Sequence, residues 1–204
     1  MVIFKDVLNK VMNDDKTMID ALNSASFLDF PDWTPLRKRI QTGKKTIMDH
    51  TLAMYGFLFK MDNYKRLNAD LKLVLKIAVM LHDISKQRGG EPLHEIRCAE
   101  RSNELLTKWG YSKDFIDFVY FLVRYHSYLG IISSKFGEYK PLLDELMNVL
   151  RKTKNFKDYI LLLGLLNKVD VLSQYFVHDN VEMFKTDNTD RIDLLADEIL
   201  SRLH

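Results

Sequence analysis

The chain has 204 residues, 47% of them hydrophobic and 28% charged, with 30 Lys and Arg against 28 Asp and Glu for a net charge of +2. That is the size and make-up of one globular domain with room for a small extra lobe, and it disfavours two full domains, disorder and polyanion binding by the whole surface. The single cysteine, Cys98, excludes an internal disulfide and any multi-cysteine zinc or iron–sulfur site.

Only 8 Gly and 4 Pro occur, and apolar residues recur at spacings of three and four, so the chain reads as all-α. Residues 2–12 and 16–26 form two short helices. The link FLDFPDWTPLRKRIQTGKK (27–45), with Pro31 and Pro35, is irregular. Thr46-Ile-Met-Asp49 has the spacing of a capping box, which opens a helix over 47–62. Asn68 caps LKLVLKIAVMLHDISK, which stops before Gly89-Gly90. Pro92 is placed in the first turn of the next helix, LHEIRCAERSNELLTKW, which runs to Gly110. Further helices are expected over 112–128, 141–153, 156–177 and 189–203. The resulting division is an N-terminal helical lobe and link over 1–45, a core over 46–177, and a C-terminal helix over 178–204 packing on that core. The opening MVIFKDVLNKVMNDDK lacks the uninterrupted apolar stretch of a signal peptide, and no run approaches the ~20 residues of a membrane span. A cytoplasmic protein in a reducing compartment is expected.

Three helices are apolar almost all round, which implies burial: 71–81, 115–125 and 160–172. Each carries or ends in ionisable groups, respectively His82-Asp83, His126 and Asp170. Buried carboxylates are normally paired, hydrogen-bonded or bound to metal, so three helices delivering His and Asp to one interior suggest a shared site. His50 adds a donor on a helix whose other positions read as core, and His94 adds one just after Pro92. Imidazole and carboxylate without thiolate suit Mn, Fe, Co, Ni, Zn or Mg rather than copper(I) or an iron–sulfur cluster.

In chain order the set is His50, His82-Asp83, His94, His126 and Asp170, which resembles the H…HD…H…H…D pattern of the HD-domain superfamily of metal-dependent phosphohydrolases. The resemblance spans roughly 46–175. The segments HDISK, HEIRCA, LVRYH and NKVDVL look particularly like the HD domains of the CCA-adding tRNA nucleotidyltransferases, and still more like those of the uridylyltransferase/uridylyl-removing enzymes. Cys98 stands where a small residue is usual, and residues 1–45 hold no nucleotidyltransferase signature, so a free-standing HD hydrolase is expected. The resemblance implies an all-α HD fold with a metal site between central helices. It assigns His50, His82, Asp83 and Asp170 to one ion and His94 and His126 to a second, and it places Lys86 near the substrate phosphate. Asp83 is also the candidate acceptor of the proton of an attacking water. Arg97 and Arg101, on the face of His94 at i+3 and i+7, are candidate phosphate contacts by helix geometry alone.

The implied activity is hydrolysis of a phosphate ester of a nucleotide or another small phosphorylated molecule. The rivals are a phosphodiesterase on cyclic nucleotides or RNA ends and a non-catalytic nucleotide-sensing module. Arg37-Lys38-Arg39 with Lys44-Lys45 reads either as an anion-attracting rim or as a solvated loop. Phe115, Phe118, Tyr120, Phe121 and Tyr125 read as core, and Cys98 as a buried thiol. No membrane partner and no extended nucleic-acid interface are expected, the oligomeric state stays open, and His178 and His204 are assigned nothing.

Overall fold

A computed structural model describes residues 4–24, 32–134, 140–177 and 187–203. Among these the architecture is all-helical apart from one two-stranded antiparallel ribbon. The helices are α1 (Phe4–Met12), α2 (Met18–Asn23), α3 (Ile47–Leu58), α4 (Asp62–Lys65), α5 (Ala69–Leu81), α6 (His94–Lys108), α7 (Lys113–Tyr125), α8 (Tyr128–Ser134), α9 (Lys140–Leu150), α10 (Phe156–Val177) and α11 (Asp187–Leu203). A 3₁₀ turn (Thr34–Arg37) and strands β1 (Ile40–Thr42) and β2 (Lys45–Thr46) lie between α2 and α3. The expected tail of the second helix to 26, Pro31, His178 and His204 lie outside the described residues.

α10 is the axis of the fold. It packs against α3, α5, α7, α8 and α11, while α7 packs against both α5 and α6. Ile160, Leu162, Leu163, Leu165, Leu166 and Val169 bury most of its circumference, each large aliphatic side chain contributing roughly 1.5–3 kcal/mol by leaving water. α1 docks on α5, where the buried Lys76 ammonium donates to the Met12 carbonyl and, at 2.7 Å, to Asp15 Oδ1.

Local signals placed the helix starts well. Thr46 and Asp49 form the reciprocal capping box, and Asn68 and Ser112 accept from the backbone N–H groups of Leu71 and Phe115.

Several expectations need correction. The link is not wholly irregular, because Gly43 at φ 52° turns the chain and pairs Ile40 with Thr46 and Thr42 with Lys45. The 47–62 helix breaks at Leu58, with α4 as a separate turn. α5 ends at Leu81, before His82-Asp83 rather than after them, and the 112–128 helix is interrupted between Tyr125 and Tyr128. Pro92 stands outside α6, whose N-cap is Leu93 in a left-handed conformation (φ 56°). Finally, the 22-residue stretch Lys113–Ser134, an 18-residue window of which has mean hydropathy 1.2, is by length and composition apolar enough to cross a membrane, contrary to the sequence expectation. Its most apolar window is 56% buried inside the fold, as for a core helix.

Candidate metal centre

The four histidines are oriented by local chemistry before any tertiary contact is considered. The last carbonyls of a helix have no partner within the helix. His82 and His126 occupy the C-caps of α5 and α7 and place Nδ1 2.8 Å from the carbonyls three residues back, Val79 and Val123. His94 does the same at the start of α6, with Nδ1 2.7 Å from the Glu91 carbonyl. A carbonyl only accepts, so each of these Nδ1 atoms carries the proton and each Nε2 presents a lone pair. His50 reaches the same tautomer differently. Its Nδ1 is 2.9 Å from Ser173 Oγ, whose own hydrogen is donated to the Asp170 carbonyl, so the serine accepts from the imidazole.

All four Nε2 atoms turn inward around Asp83, which is buried together with His50, His82, His94 and His126. On one side His50 Nε2 lies 3.2 Å from His82 Nε2, 3.1 Å from Asp170 Oδ1 and 4.0 Å from Asp83 Oδ2, and His82 Nε2 is 3.4 Å from the same Oδ2. On the other, His94 Nε2 lies 3.0 Å from Asp83 Oδ1 and 3.3 Å from His126 Nε2, which is itself 3.9 Å from that oxygen. Asp83 thus joins two clusters with metal-ligand spacing, His50–His82–Asp83 and Asp83–His94–His126. Asp83 Oδ1 is buried without a hydrogen-bond partner. Lone pairs facing lone pairs and carboxylate oxygens at 3.0–3.4 Å repel one another. A shared divalent cation converts the repulsion into coordination, and the donor set of nitrogen and oxygen fits such an ion.

Lys86 lies at the edge of the cluster with Nζ 2.7 Å from Asp83 Oδ2. Burial favours the neutral forms of both groups, but the contact outweighs it and holds the lysine above its usual pKa. Asp83, buried yet surrounded by His82, Lys86 and His94, is held well below the carboxylate range. Asp170 is likewise lowered, against the effect of burial, by His50. Burial lowers His50, and it takes His126 down to about 4, whereas at His94 the pull of Asp83 exceeds burial and raises the pKa.

These shifts predict how the metal-free protein responds to acid. Between pH 6.5, the ordinary histidine value, and about 4, the unfolded chain takes up a proton at His126 that the folded chain refuses, so stability falls as the pH drops through that window. His94 contributes in full throughout it, because its raised folded value makes its stabilisation complete below 6.5. Asp83 loses its contribution only below its ordinary value of 3.8. The Tm of chelator-treated protein should therefore decline from pH 6.5 to 4, and His126→Gln should flatten the slope. Equal slopes would show that His126 titrates normally.

Of the residues expected at the site, His50, His82, Asp83, Lys86, His94, His126 and Asp170 converge. Arg97 and Arg101 do not join them. Arg97 is paired with Glu91, and Arg101 with Asp32 at 2.5 Å and with Glu104, so their charges are engaged by carboxylates on the flank of α6. Cys98 is buried with its thiol pushed up to about 12, chiefly by burial, and its sulfur accepts from the Ser85 N–H. Phe121 and Tyr125 are buried, and Phe118 stacks on Tyr159 at 3.9 Å.

Sequence reasoning missed Ser173 and read Arg39 as part of an anion-attracting rim or a solvated loop, not as a brace of the site. The guanidinium of Arg39 donates to the carbonyls of Ile84 and Lys86 at 3.2 and 3.1 Å, fastening the turn that carries Asp83. No spacing announces either contact, since the partners are far apart in the chain.

The chain is 30% identical over 149 residues, 65% of its length, to a bifunctional uridylyltransferase/uridylyl-removing enzyme of Erythrobacter litoralis. It is 28% identical over 188 residues, 83% of its length, to the enzyme of the same description from Novosphingobium aromaticivorans. The aligned parts are 16% and 20% of those proteins, so this chain corresponds to a minor portion of each relative. No family model matches the chain.

Proposed function

We propose that this chain is an HD-type metal-dependent phosphohydrolase that cleaves a phosphate ester of a nucleotide or another small phosphorylated molecule. The observation that carries the reading is the pair of histidine clusters sharing Asp83, with every Nε2 bare and turned inward. His50, His82, Asp83 and Asp170 would hold one divalent ion, and Asp83, His94 and His126 a second. Such ions supply Lewis acidity, lowering the pKa of a bound water and neutralising charge on phosphoryl oxygens.

The chain's own residues supply the rest. Lys86 holds an ammonium beside Asp83, where it can meet a phosphoryl oxygen as a point charge. Asp83, strongly acidic in this setting, is better suited to accept a hydrogen bond from the attacking water and orient it than to carry its proton away. The buried walls from α5, α7 and α10 restrict bulk water around these charges and so strengthen their interactions.

A second reading, phosphodiester cleavage, is favoured by the names of the two relatives, because removing a uridylyl group hydrolyses a phosphodiester. One panel decides. Purified protein supplied in turn with Mn, Fe, Co, Ni, Zn and Mg is assayed on p-nitrophenyl phosphate and on bis-(p-nitrophenyl) phosphate. Turnover of the first alone supports the monoesterase, and turnover of the second the diesterase. Inactivity on both and on a nucleotide set, with every metal, overturns the hydrolase and favours a nucleotide-sensing module.

A further inference from the structure

We infer that Glu95 and Ser127 form a clamp that positions the second half-site, His94 and His126, independently of the first. The inference rests on the two-ion reading proposed above.

Each clamp residue directly follows one of the two histidines in the chain, and the two are joined by a hydrogen bond of 2.7 Å from Ser127 Oγ to Glu95 Oε1. That bond ties the first turn of α6 to the turn after α7, the two segments that must stay in register for His94 and His126 to keep their Nε2 atoms 3.3 Å apart. The second carboxylate oxygen of Glu95 lies 3.6 Å from His94 Nδ1, behind the ring and away from the cluster centre. The Nδ1 proton itself goes to the Glu91 carbonyl, so Glu95 bears on the ring as a nearby charge, and its hydrogen bond is the one to Ser127. The first half-site has a separate support, since His50 is held by Ser173 from α10. The two halves of the centre therefore have different outer partners and share Asp83 as a ligand, with His82 and His126 standing edge to face at 5.1 Å between ring centroids.

Glu95 also stands in the first turn of α6, where any acidic side chain favours the helix dipole. A test must separate that role from the clamp. Metal-free protein is titrated with Mn²⁺, with free ion followed by its electron paramagnetic resonance signal, for the wild type, Glu95→Gln, Ser127→Ala and His126→Ala. His126→Ala identifies the binding step that belongs to the second half-site. Ser127→Ala, which removes the hydrogen bond and keeps the charge at the helix start, should weaken that step by about 10- to 100-fold and leave the other within about twofold, whereas Glu95→Gln, whose amide oxygen can still accept from Ser127, should weaken it less. Unchanged steps, or equal weakening of both as a general structural defect would produce, overturn the clamp. A wild type with one step overturns the clamp and the second ion but leaves a one-ion hydrolase standing, whereas a wild type that binds no Mn²⁺ removes the metal reading altogether.

Discussion

Replacing Asp83 with alanine should abolish both metal binding and turnover, the largest loss expected from any single side chain here. Asp83 is the one residue common to both clusters, with Oδ2 facing His50 and His82 and Oδ1 facing His94 and His126. Without it the four inward lone pairs lose the carboxylate that joins them, leaving only Asp170 beside His50, and Lys86 loses the carboxylate at 2.7 Å that keeps it ionised in a buried position. The expected fall in turnover is at least about a hundredfold, from lost water orientation alone, and metal per chain measured by elemental analysis should approach zero. His50→Ala should behave differently, losing metal from its own cluster while Asp83, His94 and His126 remain. A well-folded Asp83→Ala protein that kept its metal and wild-type kinetics would refute the site.

Gly89→Ala should destabilise the protein although it adds only a methyl group far from any helix interior. A Cβ at Gly89 would fall 1.7 Å from the Gln41 carbonyl oxygen, a backbone atom that no rotamer change can move. The same glycine donates its N–H to the Ile40 carbonyl at 2.9 Å, so the loop after the turn of His82 and Asp83 lies directly on β1. Forcing the two backbones apart is overpacking of the severe kind, about 3 kcal/mol, read as a lower urea midpoint with unchanged m. The displacement should reach the centre too. Arg39, one residue before the paired Ile40, holds the Ile84 and Lys86 carbonyls, and Gln41 donates to Gln174, which in turn lies 3.5 Å from Asp170. Metal affinity should therefore drop along with stability. A variant as stable as the parent would mean that the ribbon and loop can separate freely.

The fate of Gly89 shows where sequence reading stops. From the chain alone Gly89-Gly90 marks the end of a helix, yet α5 has already ended at Leu81, eight residues earlier. The pressure on Gly89 comes from a strand almost fifty positions earlier in the chain. The sequence by itself determined the all-helical class, the caps at Thr46 and Asn68, and the burial of the helices carrying His82, His126 and Asp170, because periodicity and capping involve partners three or four residues apart. It also located the histidines and aspartates as an ordered set through resemblance. Tertiary structure alone decided that Asp83 stands between two clusters, that Arg39 fastens its turn, that Ser173 selects the tautomer of His50 across 123 residues, and that Arg97 and Arg101 are engaged by carboxylates instead of facing the centre. Those contacts depend on how α10 packs against α3 and how α6 packs against α7, and packing of distant segments is governed by shape and buried area summed over the whole core, which no local spacing encodes.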